Sequence, residues 1–82
     1  MFHRIKEITP LPDYCLSVRF EDGVTKIYDV KPLFAKWAPF GALEKSPELF
    51  SEVTVDVGGC GVVWNDDADL SCEELYENGV NI

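Results

Sequence analysis

Oxygen-bearing side chains are concentrated in one short stretch in the last quarter of the chain. Four occur close together: Asn65, Asp66, Asp67 and Asp69. Hard cations are bound by several carboxylate and amide oxygens of one loop, so the stretch is a candidate cation site. The calcium loop of an EF-hand needs glycine at its sixth position and glutamate at its twelfth, where this chain has Leu70 and Tyr76. Because Asp and Asn also favour turns through local hydrogen bonds, we predict a turn and no bound metal.

The side chains that most often act as nucleophiles or general bases are few and far apart in the sequence. His3 is the only histidine, and we expect it to be exposed or at a strand edge, because a catalytic base needs a positioned partner. Among Cys15, Cys60 and Cys72, the last begins a predicted helix, which favours a thiolate. The two glutamates that follow it disfavour the thiolate. We therefore predict three small buried or half-buried thiols, no enzymatic activity and no cofactor.

The charge balance limits the classes of partner. Fifteen acidic against seven basic side chains give a formal net charge of −8. The chain has no cluster of Lys and Arg that could neutralise phosphates, so we expect no direct binding to nucleic acid. Anionic lipid repels such a protein, and no apolar run approaches the ~18 residues of a membrane-spanning helix. We expect no membrane association.

Length and cysteine usage indicate one small cytoplasmic domain. Eighty-two residues, of which 46% are hydrophobic, suffice for a single core, so one domain is predicted over residues 1–82. The first residues lack the apolar segment of a signal peptide. The three cysteines contain no Cys-x-x-Cys pair, so they indicate neither a disulfide framework nor a zinc site. Such thiols are typical of a reducing compartment, which predicts the cytoplasm.

The first third of the chain predicts three antiparallel strands. Arg4–Thr9 forms the first, ending before two prolines, which have no N–H to donate to a ladder. Tyr14–Phe20 alternates apolar and polar residues, as a half-buried strand does. A turn at Glu21-Asp22-Gly23 then returns the chain as the partner strand Val24–Val30.

The middle of the chain predicts two short helices. Pro32 suits the first turn of a helix that continues to Trp37, and we expect Pro39 and Gly41 to interrupt it. Ser46 is then the predicted N-cap of a second helix.

The remainder predicts a second hairpin and a final helix. Val53–Val57 and Cys60–Trp64 are the expected strands, joined by Gly58-Gly59. Ser71 and the glutamate three residues later form a capping-box pattern, which starts a helix that Gly79 ends. The order is thus β-β-β-(short α)-β-β-α. It predicts an α+β fold with a mainly antiparallel sheet of about five strands and short helices.

The two tryptophans are the residues best suited to contact a partner, because Trp is enriched in binding hot spots. Trp64 ends an apolar strand, which favours a place in the core. Trp37 lies in an irregular region, where a lid over the core and a partner contact are both open. The candidate partner-binding residues are Trp37, Trp64, Asp66, Asp67 and Asp69.

Several short segments, in this order and spacing, resemble a known family. They are Leu16–Gly23, Tyr28–Val30, Pro47–Phe50, Val63-Trp64, Ala68–Leu70 and Leu75-Tyr76. Together they are similar to a bacterial family known as domain of unknown function 2442. The resemblance implies a small α+β domain, in some members joined to a helix-turn-helix segment. It also implies a link to toxin–antitoxin pairs, since members have been proposed as antitoxins encoded beside small toxins.

Two hypotheses from different classes follow. The first is a non-enzymatic protein-interaction module, an acidic antitoxin-like partner of a small basic toxin, because complementary charge speeds association and excludes wrong partners. The alternative is a small-molecule sensor with a pocket between the sheet and the short helices. A homodimer through an exposed strand edge is compatible with either hypothesis.

Overall fold

The computed structural model of the chain describes residues 3–81, which form two antiparallel sheets and three short helices. The strands are β1 (Ile5–Leu11), β2 (Cys15–Phe20), β3 (Thr25–Asp29), β4 (Thr54–Val55), β5 (Gly61–Val63), β6 (Asp69–Ser71) and β7 (Val80–Asn81). The helices are α1 (Ala38–Lys45), α2 (Pro47–Phe50) and α3 (Cys72–Asn78). One sheet has the order β1-β2-β3-β7, and the other has the order β4-β5-β6. The predicted α+β fold with mainly antiparallel pairing is confirmed.

The β2–β3 hairpin is confirmed where its sequence pattern predicts it. Leu16 pairs with Tyr28 and Val18 with Lys26 in an antiparallel register. The turn between the strands is held by Asp22, whose Oδ1 accepts a hydrogen bond from the Val24 N–H at 3.0 Å. The local pattern therefore determines both the strands and their register.

Two serine caps also form as predicted. The Ser46 hydroxyl oxygen accepts a hydrogen bond from the Leu49 N–H, which opens α2. The Ser71 hydroxyl oxygen accepts one from the Glu74 N–H at 3.1 Å, which opens α3. The Glu74 side chain leaves the capping box and instead accepts a hydrogen bond from the Tyr28 hydroxyl at 2.8 Å. It thereby fastens α3 to the first sheet.

Two predicted helix and strand boundaries are wrong because proline is tolerated at both places. The helix predicted from Pro32 to Trp37 is only a 3-10 turn at Lys31–Leu33, and the α-helix of this region is α1, which begins at Ala38 and runs through Pro39 and Gly41. Proline fits the first helical turn, where its missing N–H would have no partner. Pro10 lies within β1, opposite Leu16. Because β1 is at the edge of its sheet, the missing N–H costs no hydrogen bond on the outer side.

Two short strands and the division into two sheets were not predicted. β6 pairs with β5 through Val62 and Leu70, so the acidic residue Asp69 lies in a strand and not in the loop. β7 follows α3 and pairs with β3 at Lys26 and Ile27. β7 therefore exists through long-range pairing, whereas β6 forms a short hairpin with the strand just before it.

The two sheets and the helices share a single apolar core. Its completely buried side chains come from several elements, among them Leu16 in β2, Leu43 in α1, Val62 in β5 and Leu75 in α3. No charged or polar residue within 3–81 is buried. Within residues 3–81, the core therefore contains no buried charged group.

Candidate functional site

The predicted acidic turn is a self-contained loop between β5 and β6. The Asn65 Oδ1 atom accepts hydrogen bonds from the N–H groups of Asp67 and Ala68, both at 2.9 Å. This is the local side-chain bonding that makes Asn frequent in turns. The amide of Asn65 thus holds the loop, while the carboxylates of Asp66, Asp67 and Asp69 remain exposed.

The two tryptophans lie in opposite environments. Trp37 is 53% exposed, whereas Trp64 is 8% exposed and its indole N–H donates a hydrogen bond to the Phe50 carbonyl at 2.9 Å. The structure therefore corrects the candidate surface: the ring of Trp64 belongs to the core and is not available to a partner. The reason is that the indole satisfies its polar atom internally, which makes complete burial favourable.

Ring contacts connect the exposed tryptophan to the buried one. The ring centroids of Trp37 and Phe40 are 5.8 Å apart, and those of Phe40 and Trp64 are also 5.8 Å apart. Since the acidic loop begins directly after Trp64, the exposed indole and the loop are attached to the same part of the core. Of the predicted site residues, the structure thus leaves Trp37 and the three aspartates accessible.

The acidic loop lacks the geometry of a metal centre. Within residues 3–81, no group of three or more His, Cys, Asp or Glu side chains is arranged to hold a metal ion. The side chains of Asp66, Asp67 and Asp69 are all exposed.

The cysteines differ from one another in exposure. Cys72 is buried, and the pKa of its thiol is raised, first by burial and then by Glu73, so the thiolate is disfavoured. Cys15 is half-buried. Cys60 is exposed, which corrects the prediction that all three thiols would be at least half-buried. It belongs to the turn before β5, where its helix-like backbone, with φ −72°, directs it away from the strand pattern.

His3 is half-buried immediately before β1 and is part of a small polar cluster. Its ring stacks on that of Tyr76 with centroids 3.5 Å apart, and its Nδ1 lies 3.7 Å from Asp22 Oδ2. The Tyr76 hydroxyl donates to the same carboxylate at 3.2 Å. The pKa of Asp22 is lowered, chiefly by the hydrogen bond from the Val24 N–H. These contacts fasten the residues before β1 to α3.

A second candidate region was missed by sequence reasoning: the segment Pro12–Tyr14 between β1 and β2. Asp13 and Tyr14 have φ angles of 65° and 59°, in the left-handed region that residues with a side chain avoid. Each such residue costs on the order of 1 kcal/mol or more, and strain of this kind is concentrated at functional sites.

Long-range contacts hold the strained segment in place. The ring of Tyr14 meets those of Phe34 and Phe50 edge-on, at 5.1 and 5.2 Å between centroids. Its hydroxyl donates a hydrogen bond to the Glu44 carbonyl at 2.7 Å. The tyrosine therefore connects the segment to α1 and α2.

Lys31 holds the same segment from the other side. Its Nζ donates to the carbonyl and to the carboxylate of Asp13 at 2.7 and 3.0 Å, and it lies 3.0 Å from Asp29 Oδ1. The pKa of Lys31 is raised above its usual value, first by the bond to Asp29 and then by that to Asp13. The ammonium group of Lys31 thus forms ion pairs with both carboxylates.

Two open grooves meet at the strained segment. One, of about 430 Å³, is lined mainly by prolines and rings, among them Pro12, Tyr14, Pro47 and Phe50. The other, of about 380 Å³, is lined by Tyr14, Lys31 and further residues of the same neighbourhood. Asp13 and Tyr14 line both grooves.

Only one local signal could have pointed to this region. Asp after Pro is common in turns and tolerates the left-handed region, so Pro12-Asp13 could have suggested a two-residue turn. Nothing local predicts the same backbone for Tyr14. Its anchor on Glu44 is 30 residues away, and the bond from Lys31 to Asp13 spans 18 residues.

Comparison with protein families gives one match that spans nearly the whole chain. The family model described as "Protein of unknown function (DUF2442)" matches residues 5–81. The chain belongs to this family. The family's match covers β1 through β7 and so includes both the acidic loop and the strained segment. No curated protein and no solved structure matches the chain. None of the helices within residues 3–81 is long and apolar enough to cross a membrane.

Proposed function

We propose that this domain is a non-enzymatic protein-interaction module that binds a small basic protein, as an antitoxin binds its toxin. The surface it uses comprises Trp37 and the carboxylates of Asp66, Asp67 and Asp69, and we call it the acidic face. The observation that carries the proposal is the 53% exposure of a tryptophan ring in a chain of net charge −8.

The supported indole of Trp37 is suited to the centre of an interface. Its ring rests on Phe40, which in turn contacts the buried Trp64, so the exposed ring is backed by the core. A ring held in this way loses little conformational freedom on binding, and tryptophan is the residue most enriched in hot spots. The ring of Trp37, supported by Phe40, would be the apolar anchor of the interface.

The carboxylates supply the charged rim. Among residues 3–81, none donates a hydrogen bond or forms an ion pair with the carboxylates of Asp66, Asp67 or Asp69 within the distances that define such contacts. Asn65 holds the loop without using them. They can therefore pair with Lys and Arg of a partner with little rearrangement, which raises the association rate and favours basic partners.

The test is affinity capture from native cells followed by titration of the captured protein. The bait is the chain itself, beside W37A and the triple variant D66N/D67N/D69N. The matched control is E21Q/E52Q/E77Q, which removes the same charge from exposed positions elsewhere. We expect the baits to capture a basic protein. This protein should bind the control variant as tightly as the wild type, and it should bind W37A at least ten times more weakly. Equal binding to all four baits would assign the partner to another surface.

The antitoxin reading has its own experiment. The product of the adjacent gene is expressed alone and together with this chain, and growth is followed. Arrest by that product alone, relieved by the wild type but less by W37A, is the expected result. If that product alone does not slow growth, it is not a toxin, and the antitoxin proposal is wrong.

The two grooves around Tyr14 favour a second candidate function, the binding of a small molecule. Adjoining grooves lined by rings and a few polar groups resemble the lining of ligand sites, and the strained backbone between them is typical of functional segments. A thermal-shift screen of metabolites would identify a ligand that stabilises the wild type but not a Phe34→Ala variant. If no metabolite raises the melting temperature, this candidate fails while the acidic face is untouched.

A further inference from the structure

We propose that Cys60 and Cys72 form a peroxide-sensitive dithiol that closes to an intramolecular disulfide. A backbone hydrogen bond joins the two residues where the turn before β5 meets the start of α3. The inference is independent of the proposed function, because it rests on the pairing of β5 with β6.

The strand register places the two cysteines opposite one another. Gly61 pairs with Ser71 in the β5–β6 ladder, so the next pair outward is Cys60 with Cys72. The Cys72 N–H donates a hydrogen bond to the Cys60 carbonyl at 2.8 Å, so the two residues are neighbours although the ladder itself ends at Gly61 and Ser71. A disulfide spans Cα atoms about 4.4 to 6.8 Å apart, a separation that residues of adjacent chain segments joined by a backbone hydrogen bond reach.

The local backbone allows the one movement that the bond requires. The Cys60 Sγ atom lies on the side of Gly58, at 3.7 Å from where a Cβ of that glycine would be. The bond therefore needs a rotation of the Cys60 side chain toward Cys72. That side chain is exposed and follows two glycines with φ of 71° and 74°.

The two thiols differ in a way that assigns their roles. Cys60 is exposed and is the thiol that an oxidant in solution reaches, whereas Cys72 is 1% exposed. Burial and the neighbouring Glu73 disfavour the thiolate of Cys72. Oxidation therefore begins at Cys60, and Cys72 is the resolving thiol, as in sensors whose reactive cysteine lies beside a second one.

The chemistry takes two steps and consumes one hydroperoxide. The Cys60 thiolate attacks one peroxide oxygen, the S–O bond forms, the O–O bond breaks, and the departing oxygen takes a proton and leaves as an alcohol or water. The Cys72 sulfur then attacks the sulfenic sulfur of Cys60, the S–S bond forms, and water leaves with the proton of Cys72. Two thiols lose two electrons in total, and the peroxide gains them.

The disulfide would enclose the acidic loop. Cys60 and Cys72 lie at the two ends of the segment that contains β5, the loop held by Asn65 and β6. Closing this ring would fix both ends of the loop, while the half-buried Cys15, in β2, remains a thiol.

Trypsin offers a direct test, because the chain has no Lys or Arg after Lys45. Cleavage yields one peptide, residues 46–82, with both Cys60 and Cys72, and another, residues 7–19, with Cys15 alone. The folded protein is treated with equimolar hydrogen peroxide, alkylated with iodoacetamide and digested. We expect the 46–82 peptide to lose two hydrogens and take up no alkyl group, while the 7–19 peptide takes up one.

Variants and a denatured control separate the folded geometry from simple proximity in sequence. Cys15→Ser should leave the loss of two hydrogens unchanged. Cys60→Ser should abolish it, and Cys72→Ala should instead give a sulfenic acid at Cys60 that dimedone traps. In guanidinium, the preference for the Cys60–Cys72 pair over pairs with Cys15 should disappear. If the folded wild type gives Cys60 sulfinic acid or a Cys60-linked dimer while Cys72 is still alkylated on unfolding, the proposal is wrong.

Discussion

Two short connections in this domain are held in place in opposite ways. The loop between β5 and β6 is held by its own first residue, Asn65, through two hydrogen bonds within three positions. The segment between β1 and β2 is held by remote groups, Lys31 and the Glu44 carbonyl, and keeps Asp13 and Tyr14 in the left-handed region. The first connection is locally relaxed, and the second is strained and supported from a distance.

This difference determines how each connection can contribute to function. In the acidic loop, the fold uses an amide and leaves the carboxylates free, so the loop can change partners without changing shape. In the Pro12–Tyr14 segment, the carboxylate of Asp13 is already paired with Lys31 and the ring of Tyr14 is packed against Phe34 and Phe50. Its side chains are therefore structural supports first, and a ligand there would have to work against or reinforce existing contacts.

The largest difference is expected when the aromatic support of the strained segment is removed. Tyr14→Ala deletes a ring packed between Phe34 and Phe50 together with the hydroxyl bonded to Glu44. We expect a loss of about 3 kcal/mol in the free energy of unfolding, measured by urea denaturation. Tyr14→Phe keeps the ring and should lose about 1 kcal/mol. A cost for Tyr14→Ala below that of Tyr14→Phe would refute the supporting role.

A smaller loss is expected when the acidic loop loses its local hydrogen-bond acceptor. Asn65→Ala removes the oxygen that receives the N–H groups of Asp67 and Ala68, and should cost about 1 kcal/mol in the same measurement. Asp66→Ala is the matched control, because no residue within 3–81 donates a hydrogen bond to that carboxylate. Equal losses for the two variants would mean that the amide does not hold the loop.

Lys31, which holds the strained segment, should make the stability of the protein depend on pH on the alkaline side. The pKa of Lys31 is raised in the folded state above its usual 10.5, so its contribution to stability is complete below that pH and is lost as pH rises further. Lys31→Gln should flatten the fall of the melting temperature between about pH 10 and 12. Burial and Glu74 raise the pKa of Tyr28 in the same direction, so some slope should remain in the variant. An unchanged slope would exclude Lys31 as a contributor.

The smallest effect on stability is expected at the exposed tryptophan. Trp37→Ala removes a ring whose larger part faces water, and we expect a change within about 0.5 kcal/mol by urea denaturation. The same variant should lose most of its affinity for a basic partner. Tyr14→Phe should instead lower the free energy of unfolding and leave that affinity unchanged. A loss of several kcal/mol would make Trp37 a lid over the core instead of a contact residue.

The parts of the fold that could be predicted are those whose signals lie within a few residues. The β2–β3 hairpin follows from alternation around a Gly-containing turn, and Ser46 and Ser71 cap helices through bonds three residues away. The acidic loop was recognised as a turn for the same reason. Each of these features needs only a local pattern and short-range hydrogen bonds.

The parts that could not be predicted depend on remote partners. β7 is a strand only because Val80 meets Ile27. The left-handed backbone of Tyr14 depends on contacts made 30 residues away. The sequence favours a core position for Trp64, but only packing decides that Trp37 faces water.

That division between the tryptophans gives the protein two optical reporters. Trp37 is open to solvent and to quenchers, while Trp64 is enclosed by Phe40 and Phe50 and should emit at shorter wavelength. A partner that covers the acidic face would change the emission of the first and leave that of the second nearly constant. Unfolding would shift the second as well, so a single fluorescence spectrum separates binding from loss of the core.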